Sequence, residues 1–403
     1  MTDIQSGAAS AGAFGSPTPG RLHGLDALRG LALLLGLVVH ASMAFLPGAQ
    51  YFWIAADPAP DATLGYAFYV PHMFRMILFF LLAGFFGRLA CERLGTKAFA
   101  RDRFRRIFLV LVTFWPIVFA GIIAALVISA LHTFGGTLPA NPPPGPAFTP
   151  DDFPLTHLWF LYVLTLCYVA MLAGRWLIAR LDKGGMLKRL ADGAVRALTS
   201  PVGPALLALP LAAALIVAPN WYLWFGIPTP DSSLYPNLAA CVAFGSAFLF
   251  GWWLHRSSDL MARWTKHWPL HLVIAIGATF ACLWLYSLSN PAVPAAPGLA
   301  TNAYALLYAL GGWSWTVALT GLALRFCSGE SPARRTLADA SYWIYLMHLP
   351  LVMILQVYAV RLPGPAWLKF VAIIAITFGL LLLTYKWFVR RTFIGVFING
   401  RKR

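Results

Sequence analysis

The sequence predicts an all-α polytopic membrane protein: a bundle of about ten transmembrane helices with both termini in the cytoplasm. The first observation is composition. The chain of 403 residues is 60% hydrophobic and only 11% charged, with a mean hydropathy of +0.71, whereas about a quarter of the residues of soluble domains are charged. The other two observations are the length of the apolar runs and the distribution of basic residues between them.

Ten apolar runs are long enough to cross a bilayer, for which about 20 residues are needed. They cover residues 27–47, 68–89, 107–131, 155–178, 202–219, 237–255, 268–288, 302–325, 341–360 and 366–388. The fifth run is the weakest because it contains Pro204 and Pro210. A membrane helix tolerates proline where neighbouring groups satisfy the freed carbonyl.

Lysine and arginine are concentrated in alternate connecting loops. Seven basic residues lie in 88–106 and six in 175–201, whereas the intervening loops 48–67, 132–154 and 220–236 contain none. Because basic loops remain in the cytoplasm, this pattern predicts that both termini are cytoplasmic. It also accounts for most of the net charge of +16, so we expect the lipid bilayer as a partner and no nucleic acid.

Three parts of the chain differ in composition. Residues 1–20 are rich in Ala, Gly, Ser and Pro, which predicts a disordered cytoplasmic tail. Residues 21–390 form the predicted transmembrane domain, and residues 391–403 a basic cytoplasmic C-terminal tail. The five cysteines have no CxxC spacing, and HExxH and P-loop motifs are absent from the sequence. We therefore expect no metal site and no bound cofactor.

An arginine and a histidine share one face of the first run. Arg29 and His40 are eleven residues apart, or about 1100° around a helix and about 16 Å along its axis. Such groups are costly inside an apolar helix unless they are used. An imidazole is suited to take a proton near neutral pH. We therefore expect His40 to be a general base and Arg29 to orient a donor or the helix.

Three further runs carry candidate site residues. His72 and Arg75 are three residues apart and share one face of the second helix. The predicted topology places this pair at the same depth in the membrane as His40, near the outer side. His157 opens the fourth run beside Trp159, and His348 lies in the middle of the ninth. A histidine in a span can also be a packing residue bonded to another helix, an alternative that is strongest for His157 and His348.

Four motifs, in order, resemble the acyltransferase 3 family of membrane acyltransferases. They are DALRGLALLLGLVVH at 26–40, LFFLLAGFF at 78–86, RDRFRRIFLVLVTFWP at 101–116 and SYWIYLMHLPL at 341–351. Arg29 and His40 match the family's Arg-x10-His, and Arg103 and Arg106 match its Arg-x-x-Arg pair. Ala83 stands where the family usually has serine. The stretches HMFRM at 72–76 and HLWFLYVL at 157–164 look most like the glucans biosynthesis protein C branch.

The resemblance implies an inner-membrane O-acyltransferase that uses an acyl-CoA donor from the cytoplasm and a hydroxyl of an extracytoplasmic glycan. In the glucan branch the acyl group is succinyl and the acceptor a periplasmic glucan. On this reading His40, Arg29, His72 and Arg75 are catalytic. The candidates for substrate binding are Arg103, Arg106, His157, Trp159 and His348. Topology alone explains Arg103 and Arg106 equally well.

Two alternatives remain open from the sequence. One is a membrane transporter or flippase for a glycan or a lipid-linked substrate, in which arginine and histidine line a substrate path. The other is an acetyltransferase of the same family that acts on another polysaccharide.

Overall fold

A computed structural model describes residues 19–139, 141–142, 144–286 and 293–399. Residues 1–18 and 400–403, which contain most of the predicted N-terminal tail and part of the C-terminal one, lie outside the described residues. The described part is helical and contains no β-strand. The α-helices are α1 Pro19–Ser42, α2 Leu64–Leu94, α3 Thr96–Arg103, α4 Leu109–Thr133, α5 Trp159–Leu181, α6 Met186–Leu198, α7 Gly203–Ile216, α8 Leu238–Leu254, α9 Ala262–Leu285, α10 Leu299–Phe326, α11 Pro332–Ala359, α12 Ala366–Thr384 and α13 Phe393–Asn399.

Eight helices in the described residues are long and apolar enough to span a membrane, or nine if the bent pair α6 and α7 forms one span. The predicted count of about ten is not confirmed, and two places account for the difference. The pair α6 and α7 is bent by 104°, and α7 alone has only 14 residues, about 21 Å of helix. Helices α8 and α9 are joined by a helical turn with a kink at Ser257 and count as one element. The cytoplasmic location of the termini stays a prediction.

Helix α1 lies at the centre of the bundle, where it packs against α2, α10, α11 and α12. Helices α2 and α8 approach unusually closely through glycine. A Cβ atom at Gly84 would overlap the carbonyl of Phe248, and one at Gly251 would overlap the carbonyl of Leu81. Small residues allow this close approach of helices in a membrane. Close packing around α1 and α2 holds the candidate site residues of these helices in fixed positions.

The turn before α5 lies beside the first third of α4. The indole Nε1 of Trp115 donates to the carbonyl of Pro154 at 2.8 Å, while α4 continues 18 residues further, to Thr133, or about 27 Å. The chain before α5 therefore descends into the bundle. Thr156 has a φ angle of 55°, which is unusual for a β-branched residue, and the next residue is His157. This local conformation places His157 inside the bundle.

A buried ion pair anchors the segment that connects α1 and α2. Asp57 Oδ2 accepts from Lys369 Nζ of α12 at 2.7 Å, with the two side chains 0% and 8% exposed. Lys369 is a charged residue in an apolar run, and Asp57 neutralises it from a loop. A buried pair depends strongly on both members, so the ion pair holds the connecting segment against the bundle.

We expect Asp57→Asn to destabilise the protein by roughly 3 kcal/mol or more, because the Lys369 charge would remain buried without a counter-ion. Thermal unfolding of the purified protein in detergent measures the effect. Asp151→Asn, which changes an exposed carboxylate of another loop, is the matched control. Equal unfolding midpoints for the two variants would contradict a stabilising role of the pair.

Candidate functional site

Three histidines from separate parts of the chain meet inside the bundle. His40 is on α1, His157 is in the turn before α5, and His348 is on α11. The ring centroids lie 5.3 Å apart for His40 and His348, 5.0 Å for His157 and His348, and 6.3 Å for His40 and His157. We call these three residues the histidine cluster. In the described part of the chain, no three side chains are arranged to hold a metal ion.

Backbone hydrogen bonds determine which nitrogens of two cluster rings carry protons. His157 Nε2 and His348 Nδ1 contact the carbonyl oxygen of Tyr345 at 3.1 and 2.8 Å. Because a carbonyl only accepts, these nitrogens donate, and the opposite nitrogen of each neutral ring carries a lone pair. His157 Nδ1, His348 Nε2 and His40 Nδ1 are buried without a hydrogen-bond partner. Such groups are rare in proteins. They could accept from a donor such as a hydroxyl.

Arg75 lies next to the cluster because α1 has a glycine opposite it. A Cβ at Gly36 would lie 2.5 Å from Arg75 Nη1 and 4.0 Å from His348 Nε2. The Nε atom of Arg75 is buried without a partner, and Arg75 forms no salt bridge with any residue that the structure describes. A cation in a membrane bundle is costly without a counter-charge, so this position favours a ligand with an anionic group.

His72 is three residues from Arg75 and Trp159 is two residues from His157. Among the described residues, neither ring contacts a ring of the histidine cluster. His72 Nδ1 donates to the carbonyl of Phe68 at 2.8 Å, and its ring packs on the Phe68 ring at 4.3 Å. Trp159 is buried and stacks on Phe244 at 5.3 Å. His72 remains one helical turn from Arg75, whereas Trp159 faces the packed core.

A cavity of about 570 Å³ lies at the side of the bundle with the basic loops; we call it the basic cavity. Five arginines line it: Arg29, Arg103, Arg106, Arg334 and Arg335. Arg29 Nη2 pairs with Asp26 at 3.1 Å. Asp102 pairs with Arg103 at 2.6 Å and with Arg106 at 2.8 Å. Arg29 therefore belongs to this cavity and not to the histidine cluster, although it shares a helix with His40.

The basic cavity points towards the histidine cluster. Its lining includes Phe79 and Phe160, which lie four residues from Arg75 and three residues from His157. One helical turn is about 5 Å. The lining also includes Leu33 on α1, seven residues before His40. The same parts of the chain therefore line the basic cavity and, one to two helical turns further along, carry the histidine cluster.

The family model that matches this sequence is that of acyltransferase 3, described as an acyltransferase domain, and it covers residues 22–386. The chain belongs to the acyltransferase 3 family. As a member of this family it is a membrane acyltransferase, a class with an acyl donor and an acyl acceptor. No curated protein and no solved structure matches the chain. The glucans biosynthesis protein C branch stays a prediction.

Sequence reasoning missed several residues around the candidate site. Arg334 and Arg335 line the basic cavity, although their loop position indicated only topology. Tyr345 contributes its carbonyl, a backbone group that no sequence pattern marks. Gln356 is fully buried on α11, and an amide inside an apolar run was a signal that could have identified it.

We expect Tyr345→Phe to destabilise the protein by about 1 kcal/mol, because the Tyr345 hydroxyl donates to the buried carbonyl of His157 at 2.8 Å. Unfolding midpoints in detergent test this expectation. Tyr358→Phe, on the same helix but 48% exposed, is the control and should leave the midpoint unchanged. Similar midpoints for both variants would show that the hydroxyl contributes no stability.

Proposed function

We propose that this acyltransferase 3 protein is an inner-membrane O-acyltransferase that moves an acyl group from an acyl-CoA donor to a hydroxyl of an extracytoplasmic glycan. The observation that carries the proposal is the set of unpartnered ring nitrogens in the histidine cluster, whose member His157 lies three residues from Phe160 of the basic-cavity lining. The cavity supplies cations for an anionic donor, and the cluster supplies bases for an alcohol.

In the proposed reaction His40 is the general base. Its imidazole takes the proton of the acceptor hydroxyl while the hydroxyl oxygen attacks the thioester carbonyl carbon. The carbon–sulfur bond of the resulting tetrahedral intermediate breaks, and the departing coenzyme A thiolate takes a proton from the imidazolium. The products are an O-ester and free coenzyme A, and the base returns to its neutral form. His157 and His348 would orient the substrate through their free ring nitrogens.

Arg75 has two proposed roles, which lead to different acyl specificities. Its guanidinium could stabilise the oxyanion that forms during attack, and His72 would support it from the next turn. Alternatively, it could bind the free carboxylate of a succinyl group, since arginine matches carboxylate geometry. The absence of a salt bridge to Arg75 among the described residues favours an anionic acyl group of this kind, and a periplasmic glucan is the corresponding acceptor.

The donor would lie in the basic cavity. Coenzyme A carries several phosphate charges, and arginine binds phosphate in a bidentate manner. Arg103 and Arg106 would contact these phosphates, and Arg29 would lie between the phosphates and the reacting thioester. The predicted cytoplasmic location of the basic loops makes this cavity accessible to the cytoplasmic pool of the donor.

Two rival functions make different predictions. A transporter or flippase would use the same arginines and histidines as a path and would release its substrate unchanged. An acetyltransferase of the same family would form an ester on another polysaccharide without needing a carboxylate on the acyl group. Formation of a new ester by purified protein separates the first rival from our proposal, and donor preference separates the second.

We expect His40→Ala to reduce transfer by roughly 10²- to 10⁴-fold, the range that a general base contributes. The assay supplies radiolabelled succinyl-CoA and a β-glucan to purified protein and measures label in the glucan. His132→Ala, which removes an exposed histidine near the end of α4, should keep full activity. A folded His40→Ala protein with wild-type activity would remove this residue from the mechanism.

We expect Arg75→Gln to reduce transfer from succinyl-CoA by roughly 10- to 100-fold more than transfer from acetyl-CoA, because only succinyl has a carboxylate that could form a charge-assisted bond with arginine. The measurement is kcat/KM for both donors with the same acceptor. An equal loss with both donors would contradict carboxylate recognition and would favour oxyanion stabilisation.

A further inference from the structure

The side chain of Gln356 connects the end of α1 with the segment that follows it. Its Nε2 donates to the carbonyl oxygens of His40 and Ala41 at 2.9 and 3.0 Å. Its Oε1 accepts from Trp53 Nε1 at 2.7 Å. Helix α1 ends at Ser42, so these carbonyls are among those that lack a partner within the helix. An amide from another helix therefore caps the turn that carries His40.

Trp53 contacts the ring of His40 directly. The two rings are nearly parallel, with an interplanar angle of 16° and centroids 6.3 Å apart. His40 also contacts His348, at 5.3 Å with an angle of 39°. Because His40 Nδ1 has no hydrogen-bond partner, ring contacts and the end of α1 determine its orientation.

The connecting segment that carries Trp53 is held by bonds from two other helices. In the same connecting segment Asp57 pairs with Lys369 of α12, and the carbonyl of Ile54 accepts from Ser129 Oγ of α4 at 2.7 Å. Both anchors follow Trp53 in the chain, and the backbone N–H of Trp53 donates to the carbonyl of the preceding Ala49 at 2.8 Å. The segment is therefore fixed on both sides of the tryptophan, and the ring cannot turn away without breaking buried contacts.

We propose that Gln356 and Trp53 are positioning residues for His40. Gln356 fixes the last turn of α1, and Trp53 fixes the plane of the imidazole, so that the proposed base faces the rest of the histidine cluster. Neither residue needs to touch the substrate. This proposal rests on the proposed function of His40.

Glutamine suits this position because one amide supplies both a donor and an acceptor. Gln356→Met keeps a similar size but makes none of the three bonds. Trp53→Phe keeps an aromatic ring beside His40 but removes the bond to the amide and reduces the size of the ring. The two substitutions therefore test the Gln356–Trp53 interaction from each partner. Either can be used alone if the other fails to fold.

The first measurement needs no substrate. Purified full-length protein is treated with diethyl pyrocarbonate, and mass spectrometry of the peptides follows carbethoxylation of His40, with exposed His132 as the internal reference. We expect Gln356→Met and Trp53→Phe each to increase the rate at His40 at least threefold, and the double variant to add little. Trp367→Phe, which changes a tryptophan on α12 that is 54% exposed, should leave the rate unchanged.

The second measurement is transfer from succinyl-CoA to β-glucan. We expect kcat to fall at least tenfold in Gln356→Met, with little change in KM for the donor, because the basic cavity is not altered. An unchanged rate of His40 carbethoxylation would overturn the positioning role, whatever the transfer assay gives. A faster rate with unchanged kcat would overturn its link to catalysis. The wild-type protein could also form no ester while the variants are still carbethoxylated faster at His40. That result would support the positioning of His40 and would count against the proposed function alone.

Discussion

Polar groups inside a bilayer must find partners within the protein, because the hydrocarbon core contains no water to satisfy them. Most buried polar groups of this acyltransferase 3 protein do so. Tyrosine hydroxyls, the Gln356 amide and the Asp57–Lys369 pair each bond to another part of the chain. The exceptions include ring nitrogens of three histidines that meet at one place. Twelve buried side-chain atoms of the described residues lack a partner, and three of them are ring nitrogens of the histidine cluster. The proposed site rests on this concentration of unpaired nitrogens.

The architecture separates two tasks along the same helices. Arginines line a cavity at the basic side of the bundle, and the histidine cluster lies deeper. Helix α1 carries Arg29 at the first level and His40 at the second, about 16 Å apart. A donor with a charged head and a reactive end fits this spacing in the proposed reaction, because binding energy at the head would hold the reacting atoms in place.

The irregular segment before α5 is as important as the helices for assembling the histidine cluster. If α5 crossed the bundle at full length from one side, residue 157 would lie near the surface. The bond from Trp115 to the carbonyl of Pro154 and the φ angle of Thr156 place its first turn lower. Non-helical backbone at this depth requires bonding partners inside the protein, and neighbouring segments supply them. The cluster is thus assembled by an irregular segment as well as by regular helices.

Composition and run length determined that the protein is a helical bundle. An apolar run long enough to span the bilayer satisfies its backbone hydrogen bonds by forming a helix. The motifs of the first, second, third and ninth runs determined the family. The shared face of Arg29 and His40 and the pairing of His72 with Arg75 also followed from helical periodicity. Only the tertiary structure decided that Arg29 faces the basic cavity, that His348 joins His40 and His157, and that Gln356 caps α1. These contacts join residues hundreds of positions apart, and local periodicity contains no information about which helices become neighbours.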